Sequence, residues 1–159
     1  MILMSNEYTD ALKLIAQNSN LWNCVGPIPD QVVARAESKL GCAFPPEYRD
    51  FLLRFGCGSF GSFEVYGIVG SDIEVACVPN GVWLTQDEQN NGCIPTDKII
   101  LASLGNGEYY TINCGTEENG IISIVHPSAD PEYYSEEKLH PNLGAFLMEQ
   151  LTWQLEDAK

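Results

Sequence analysis

The chain has 159 residues, 45% of them hydrophobic, and its 22 acidic and 8 basic residues give a formal net charge of −14. A chain of this length can bury one contiguous core without disulfides, so we expect a single domain over residues 1–159. The negative charge argues against nucleic acid as a partner, and without about 20 consecutive apolar residues we expect no membrane span.

The N-terminal third predicts three amphipathic helices. A serine cap precedes the first, a glycine follows the second, and a double proline opens the third, where the first helical turn tolerates missing N–H groups. Apolar residues recur at helical spacing in all three, so each has one face to bury. The predicted helices are 5–17 with Ser5 as N-cap, 30–40 before Gly41, and 46–55 after Pro45 and before Gly56.

After Gly58 the apolar pattern changes to short runs and alternation, which is typical of strands. The predicted strands are 63–69, 73–78, 98–104, 108–114 and 121–126. Tight turns join the last three, which indicates an antiparallel meander. We interpret residues 79–97 as a long surface loop with one helical turn around Trp83, and residues 130–141 as a second irregular segment.

A final helix begins after the cap Asn142, with apolar residues at steps of three and four. Helices, then strands, then a helix predict an α+β fold. We therefore expect N-terminal helices, a central antiparallel sheet of about five strands, and a C-terminal helix packed on that sheet.

No motif predicts catalysis or a cofactor. Residues 56–61 match G-x-G-x-x-G, but they follow a helix and lead into a strand, the reverse of a dinucleotide site. The six cysteines include no C-x-x-C pair, and His126 and His140 each precede a proline, as turn residues do. We expect no enzyme activity, no metal and no cofactor.

The acidic residues are unevenly distributed. Residues 1–56 hold 6 acidic and 5 basic residues, so the remaining 16 acidic and 3 basic residues give residues 57–159 a balance of −13. Such a segment can serve solubility or can steer a basic partner, and both interpretations stay open. Tyrosines among these carboxylates can form an interface or cover a sheet edge. The candidate partner-binding residues are Glu108, Tyr109, Glu117, Glu118, Asp130, Glu132, Tyr133, Tyr134, Glu136 and Glu137.

One segment carries a specific motif between residues 28 and 58. Its residues are Ile28, Glu37, Leu40-Gly41, Phe44-Pro45-Pro46-Glu47-Tyr48, Phe51-Leu52, Phe55-Gly56 and Gly58. This segment resembles the N-terminal signature of the SUKH superfamily, which includes a fungal cell-wall synthesis regulator and many bacterial immunity proteins of polymorphic and contact-dependent toxin systems. A looser resemblance continues to about residue 151.

The resemblance implies a protein-binding role with two alternatives. In the first, the chain is an immunity protein, or antitoxin, that neutralises a cognate toxin, with a nuclease among the candidate classes. In the second, it is an intracellular regulatory or scaffold module. A nuclease toxin must be basic to hold phosphates, so an acidic inhibitor would suit it. The first residues do not resemble a secretory signal, so we expect a cytoplasmic location.

Overall fold

The computed structural model describes residues 4–77, 79–115 and 117–159. Over these residues the chain forms five helices and seven strands. In chain order they are α1 (Asn6–Gln17), β1 (Trp22–Cys24), α2 (Asp30–Leu40), α3 (Pro46–Phe55), β2 (Gly58–Phe60), β3 (Phe63–Val65), α4 (Gly81–Asn90), β4 (Lys98–Ser103), β5 (Tyr109–Asn113), β6 (Ile122–His126), β7 (Ser135–His140) and α5 (Leu143–Asp157).

The strands form two antiparallel sheets. One has the order β1-β2-β3 and the other is a meander with the order β4-β5-β6-β7. The backbone N–H of Tyr66, just after β3, donates to the carbonyl of Leu101 in β4 and so links the two sheets. The predicted α+β class and the antiparallel meander are confirmed, while the expected central sheet is divided in two.

The four predicted amphipathic helices are confirmed close to their expected limits. The Ser5 hydroxyl accepts a hydrogen bond from the Tyr8 N–H at 3.2 Å, as an N-cap should. Gly41 ends α2 with a φ of 74°, in the left-handed region that favours glycine.

Several predictions between the third helix and the last were wrong. Residues 73–77 form no strand, and Val78 of the predicted strand 73–78 lies outside the described residues. The segment interpreted as a loop with one helical turn contains the ten-residue helix α4, capped by Asn80, whose Oδ1 accepts from the Trp83 N–H at 3.1 Å. The segment 130–141 contains the strand β7, and the predicted strand 63–69 is shorter, with β3 at Phe63–Val65. The short strands β2 and, before α2, β1 were not predicted.

Helix α5 packs against both sheets. The ring of Phe146 lies 5.7 Å from that of Phe63 in β3 and 4.9 Å from that of Tyr110 in β5, measured between ring centroids. Phe146 is fully buried in the main hydrophobic core, which also receives side chains from α1, α2 and α3. The predicted packing of the C-terminal helix is thus confirmed.

The carboxylate of Glu47 in α3 binds backbone N–H groups at the start of two other helices, α1 and α5. It lies in the first turn of α3 and is 9% exposed. One oxygen accepts from the backbone N–H of Ser5, the cap of α1, at 2.6 Å. The other accepts from the N–H of Gly144 in the first turn of α5 at 2.9 Å. A single side chain therefore satisfies donors at the N-termini of α1 and α5, where an anion is also favoured by the helix dipoles.

Candidate partner-binding surface

The ten predicted residues lie on the four-stranded sheet and its turns, at both of its ends. Glu108 precedes β5, and Asp130, Glu132 and Tyr133 belong to the β6–β7 connection. The register pairs Tyr109 with Val125, so these two connections leave the sheet at the same end. Glu117 and Glu118 lie between β5 and β6, at the opposite end.

The two adjacent carboxylates of β7 lie on opposite faces of this sheet. Glu136 pairs with Val125, which pairs with Tyr109. Glu137 pairs with Ile124, which pairs with Tyr110. Since directly opposed residues share a face, Glu137 lies on the side covered by α5 and Glu136 on the other.

Glu136 is engaged in a polar network on its own face. Its Oε1 lies 2.8 Å from Nζ of Lys98, whose side chain is only 6% exposed. The same ammonium group donates to Oδ1 of Asn113 at 2.9 Å, and the Ser123 hydroxyl donates to Glu136 at 3.3 Å. A buried ammonium needs such partners, so Glu136 stabilises the fold as well as contributing negative charge.

Two of the predicted tyrosines have perturbed phenols on this face. Burial, together with the charges of Glu136 and Asp97, raises the pKa of Tyr134 to about 12. Burial and the nearby Glu88 of α4 raise the pKa of Tyr109. Both phenols therefore remain neutral hydrogen-bonding groups at neutral pH.

The turn carboxylates differ in how they are compensated. Glu118 forms an ion pair with Lys138 of β7, and this hydrogen bond lowers the pKa of the Glu118 carboxyl. Glu108 accepts from the side-chain amide of Asn106 at 3.0 Å. The side chain of Tyr133, in the β6–β7 connection, is 64% exposed, so it is less buried than those of Tyr109 and Tyr134. Among the residues that the structure describes, Glu118 and Glu136 are paired with lysines, whereas Glu117, Glu132 and Glu137 form no ion pair.

Sequence reasoning missed Asp97, Glu88 and Lys98 as neighbours of the predicted residues. Lys98 stands at the start of the apolar run Lys-Ile-Ile-Leu-Ala, and a lone lysine beside such a run was an available signal for a buried ion pair. The approach of Glu88 to Tyr109 had no sequence signal, because it depends on how α4 lies against the sheet.

One surface concavity of about 780 Å³ lies between α2 and residues 71–74. Its basic side chains are already engaged: Nζ of Lys39 lies 2.6 Å from Glu74, and Arg35 donates to the Ser71 carbonyl. In residues 4–77, 79–115 and 117–159, no group of three or more His, Cys, Asp or Glu side chains could hold a metal ion. Every helix in the same ranges is too short or too polar to span a bilayer.

A comparison with protein families gives a match over most of the chain. Residues 30–147 match the family model SUKH_6, described as SMI1-KNR4 cell-wall. The chain belongs to this SUKH family. No curated protein matches the sequence.

SUKH membership is consistent with the structural roles of the motif residues. Glu37 accepts from the Phe44 N–H at 2.7 Å and pairs with Nε of Arg49 at 3.2 Å, so it closes the α2–α3 connection. Glu47 caps α1 and α5 as described above. These two acidic motif residues are therefore engaged within the fold.

Proposed function

We propose that this chain is an immunity protein that binds and neutralises a cognate polymorphic or contact-dependent toxin, and that it acts by binding rather than by catalysis. Membership of the SUKH family supports the proposal, because the superfamily includes such proteins. An immunity protein must meet the toxin before its target does, which favours the cytoplasm as the place of action.

The observation that carries the proposal is uncompensated negative charge on a folded surface. Residues 57–159 have a balance of −13; two of their three basic residues, Lys98 and Lys138, are paired with Glu136 and Glu118, and Lys39 of α2 is paired with Glu74. Most of the excess negative charge therefore stays on carboxylates that are exposed to solvent. A surface of this kind attracts basic proteins and accelerates their association.

The chemistry of the partner follows from this charge. A toxin that cleaves nucleic acid holds phosphates with lysine and arginine, so its substrate groove is basic. An acidic protein seated in that groove would exclude the substrate. This arrangement makes a nuclease toxin the class that best fits the chain.

Co-expression tests this function. The probe is the C-terminal domain of the protein encoded by the adjacent upstream gene, expressed with and without this chain. We expect the domain alone to stop growth, co-expression to restore it, and the two proteins to elute together from a sizing column. Growth arrest unaffected by the chain, with no complex formed, would contradict the proposal.

The rate of association tests the electrostatic part separately. Between about 0.05 M and about 0.5 M NaCl the association rate constant should fall steeply, because salt screens attraction between opposite charges. A rate constant that does not change with salt would remove electrostatic steering and leave toxin neutralisation standing.

The second candidate is a regulatory or scaffold module that binds a housekeeping protein. The family description, which refers to the cell wall, favours it. Under this alternative, deleting the gene should change cell-wall composition or growth in the absence of any toxin. Under the immunity proposal, deletion should be harmless until the toxin is present.

A further inference from the structure

Trp153 is a large aromatic side chain left half-exposed on a helix that is otherwise well packed. It is 49% exposed, while Leu147 and Leu151 on the same helix are buried. Its neighbour Gln154 accepts hydrogen bonds from the backbone N–H and the hydroxyl of Ser62 at 2.9 and 3.1 Å. These hydrogen bonds hold the last turns of α5 against the turn between β2 and β3, so Trp153 lies on a well-anchored part of the helix.

The side of α5 that carries Trp153 faces β7. Glu149, one turn earlier on the same side, lies 3.2 Å from Nε2 of His140, the last residue of β7. Glu137 of β7 lies on the sheet face that α5 covers, because it shares that face with Ile124 and Tyr110. Trp153, one turn after Glu149, lies on the flank of α5 that Glu149 turns toward β7, and Glu137 lies on the sheet face that α5 covers. These positions define a surface between α5 and β7.

This surface, which we call the α5–β7 surface, is rimmed by acidic residues. Glu156 and Asp157 follow Trp153 by three and four positions and so lie on its side of the helix. In the part of the chain that the structure describes, Glu137, Glu156 and Asp157 form no ion pair. The α5–β7 surface consists of Glu137, Glu149, Trp153, Glu156 and Asp157.

The unpaired carboxylates of Glu137, Glu156 and Asp157 do not stabilise the monomer, and the half-exposed ring of Trp153 does so only in part. Carboxylates at a helix C-terminus oppose the helix dipole, and the last turn of α5 carries no basic residue to offset them. The neighbouring Lys138 does not compensate Glu137, because it pairs with Glu118. A half-exposed indole also forgoes part of the gain from burial. Folding alone therefore does not account for this combination.

We propose that the α5–β7 surface is the docking site for a basic segment of the partner protein. A lysine or arginine of the partner stacks on the face of the Trp153 ring, and the surrounding carboxylates pair with further basic residues. This inference rests on the proposed function, since it specifies where that partner binds. The negative rim disfavours a second copy of this chain and an anionic membrane, which would both be repelled.

Binding measurements on matched variants test the site, with the upstream-encoded domain as the probe. Trp153→Ala and the double variant Glu137→Gln/Glu156→Gln should each weaken binding by at least about tenfold. Asp87→Asn, which removes one exposed carboxylate on α4 at the opposite face of the sheet, should leave affinity unchanged. Tyr133→Ala tests the competing location in the β6–β7 connection and should also have little effect.

Tryptophan indole N–H signals in an NMR titration give a direct readout. The chain has three tryptophans, and Trp153→Phe assigns the signal of interest. On addition of the probe we expect the Trp153 signal to shift and that of Trp22, whose indole nitrogen is buried, to stay in place.

The outcomes separate the two proposals. If the unmodified chain binds the probe but Trp153→Ala binds equally well, the docking site is wrong and the proposed function stands. If Tyr133→Ala alone weakens binding, the site lies in the β6–β7 connection. If the unmodified chain self-associates and Trp153→Ala does not, the surface is an interface between copies. Failure of the unmodified chain to bind overturns both proposals.

Discussion

Glu136 and Glu137 are consecutive carboxylates whose surroundings differ completely. The first lies 2.8 Å from the buried ammonium of Lys98, and the second is exposed on the opposite face of the sheet. Glu136→Gln should lower the free energy of unfolding by about 2–4 kcal/mol, because it strands a buried charge. Urea unfolding measures the change.

The control for this prediction is Glu137→Gln, which should alter the unfolding free energy by less than about 0.5 kcal/mol. Lys98→Met combined with Glu136→Gln should recover part of the loss, since no buried charge then remains. Equal effects of the two single variants would show that the Lys98 pair contributes little.

The carboxylate of Glu47 provides a second prediction for a single residue. Glu47→Ala leaves the N–H groups of Ser5 and Gly144 without their acceptor, and each buried unsatisfied donor costs about 1–3 kcal/mol. We expect a loss of about 2–4 kcal/mol in urea unfolding. Asp10→Ala, at an exposed position of α1, is the control, and a similar loss there would contradict this role of Glu47.

Glu88 gives the fold a predictable pH dependence. Burial and the adjacent Asp87 raise the pKa of its carboxyl in the folded state. Protonation therefore favours folding, and stability declines as the pH rises from the unfolded pKa, about 4.3, through the higher folded pKa. Glu88→Gln should remove this decline.

The measurement is urea unfolding at about pH 4 and about pH 7, on either side of the unfolded Glu pKa. Glu88→Gln should be the more stable protein at the higher pH, by less than about 1 kcal/mol because solvent screens a partly exposed charge. A variant less stable than the unmodified chain at the higher pH would refute this explanation.

At the scale of elements, α1 and α5 approach too closely for any side chain at one position. A Cβ atom placed on Gly144 would lie 2.3 Å from the backbone nitrogen of Tyr8 and 2.7 Å from the Ser5 hydroxyl. Gly144→Ala should destabilise the protein by about 1–3 kcal/mol, although alanine is the better helix former.

Thermal unfolding compares this variant with Gly70→Ala, where a Cβ would meet nothing within 4 Å. We expect the control to shift the melting temperature little. A melting temperature for Gly144→Ala at or above that of the unmodified chain would show that the two helices can move apart without loss.

How far the sequence predicts an element depends on how much apolar surface that element buries. Helices α1, α2, α3 and α5 each bury a periodic apolar stripe, and all were predicted. Helix α4 buries only Val82 among its larger apolar residues, so no stripe marks it. Strand β7 has the sequence Ser-Glu-Glu-Lys-Leu-His and lies at an edge, largely exposed, so it lacks the alternation of a half-buried strand.

The candidate surface was predictable in composition but not in arrangement. Sequence located the acidic excess after residue 56, and the structure places the chosen residues on the four-stranded sheet and its turns. Glu136 and Glu137 can be assigned to opposite faces only if residues 135–140 are known to form strand β7, and the polar sequence of this segment did not predict a strand. Trp153 lies off the apolar stripe of α5 and was passed over for that reason.

At the scale of the whole molecule, the net charge of −14 sets up repulsion within the folded chain. Unfolding moves these charges apart, so screening should favour the compact state. Raising NaCl from about 0.02 M to about 0.2 M, which shortens the Debye length to below about 10 Å, should raise the urea midpoint.

The control for this prediction is the triple variant Glu108→Gln/Glu132→Gln/Glu156→Gln. Its smaller net charge should reduce the dependence on salt. A midpoint that falls as salt is added would mean that the internal ion pairs outweigh the general repulsion.

Helix α1 lies before the segment that matches the family, yet it is held by two residues within that segment, Glu47 and Gly144. Glu47 accepts a hydrogen bond from the backbone N–H of Ser5, and Gly144, which has no side chain, lets the backbone of α1 pack directly against α5. We therefore expect a further helix before the matched region in related sequences that combine a glutamate directly after a double proline with a glycine two residues after the cap of the final helix. Sequences bearing both features can be searched upstream for that helix.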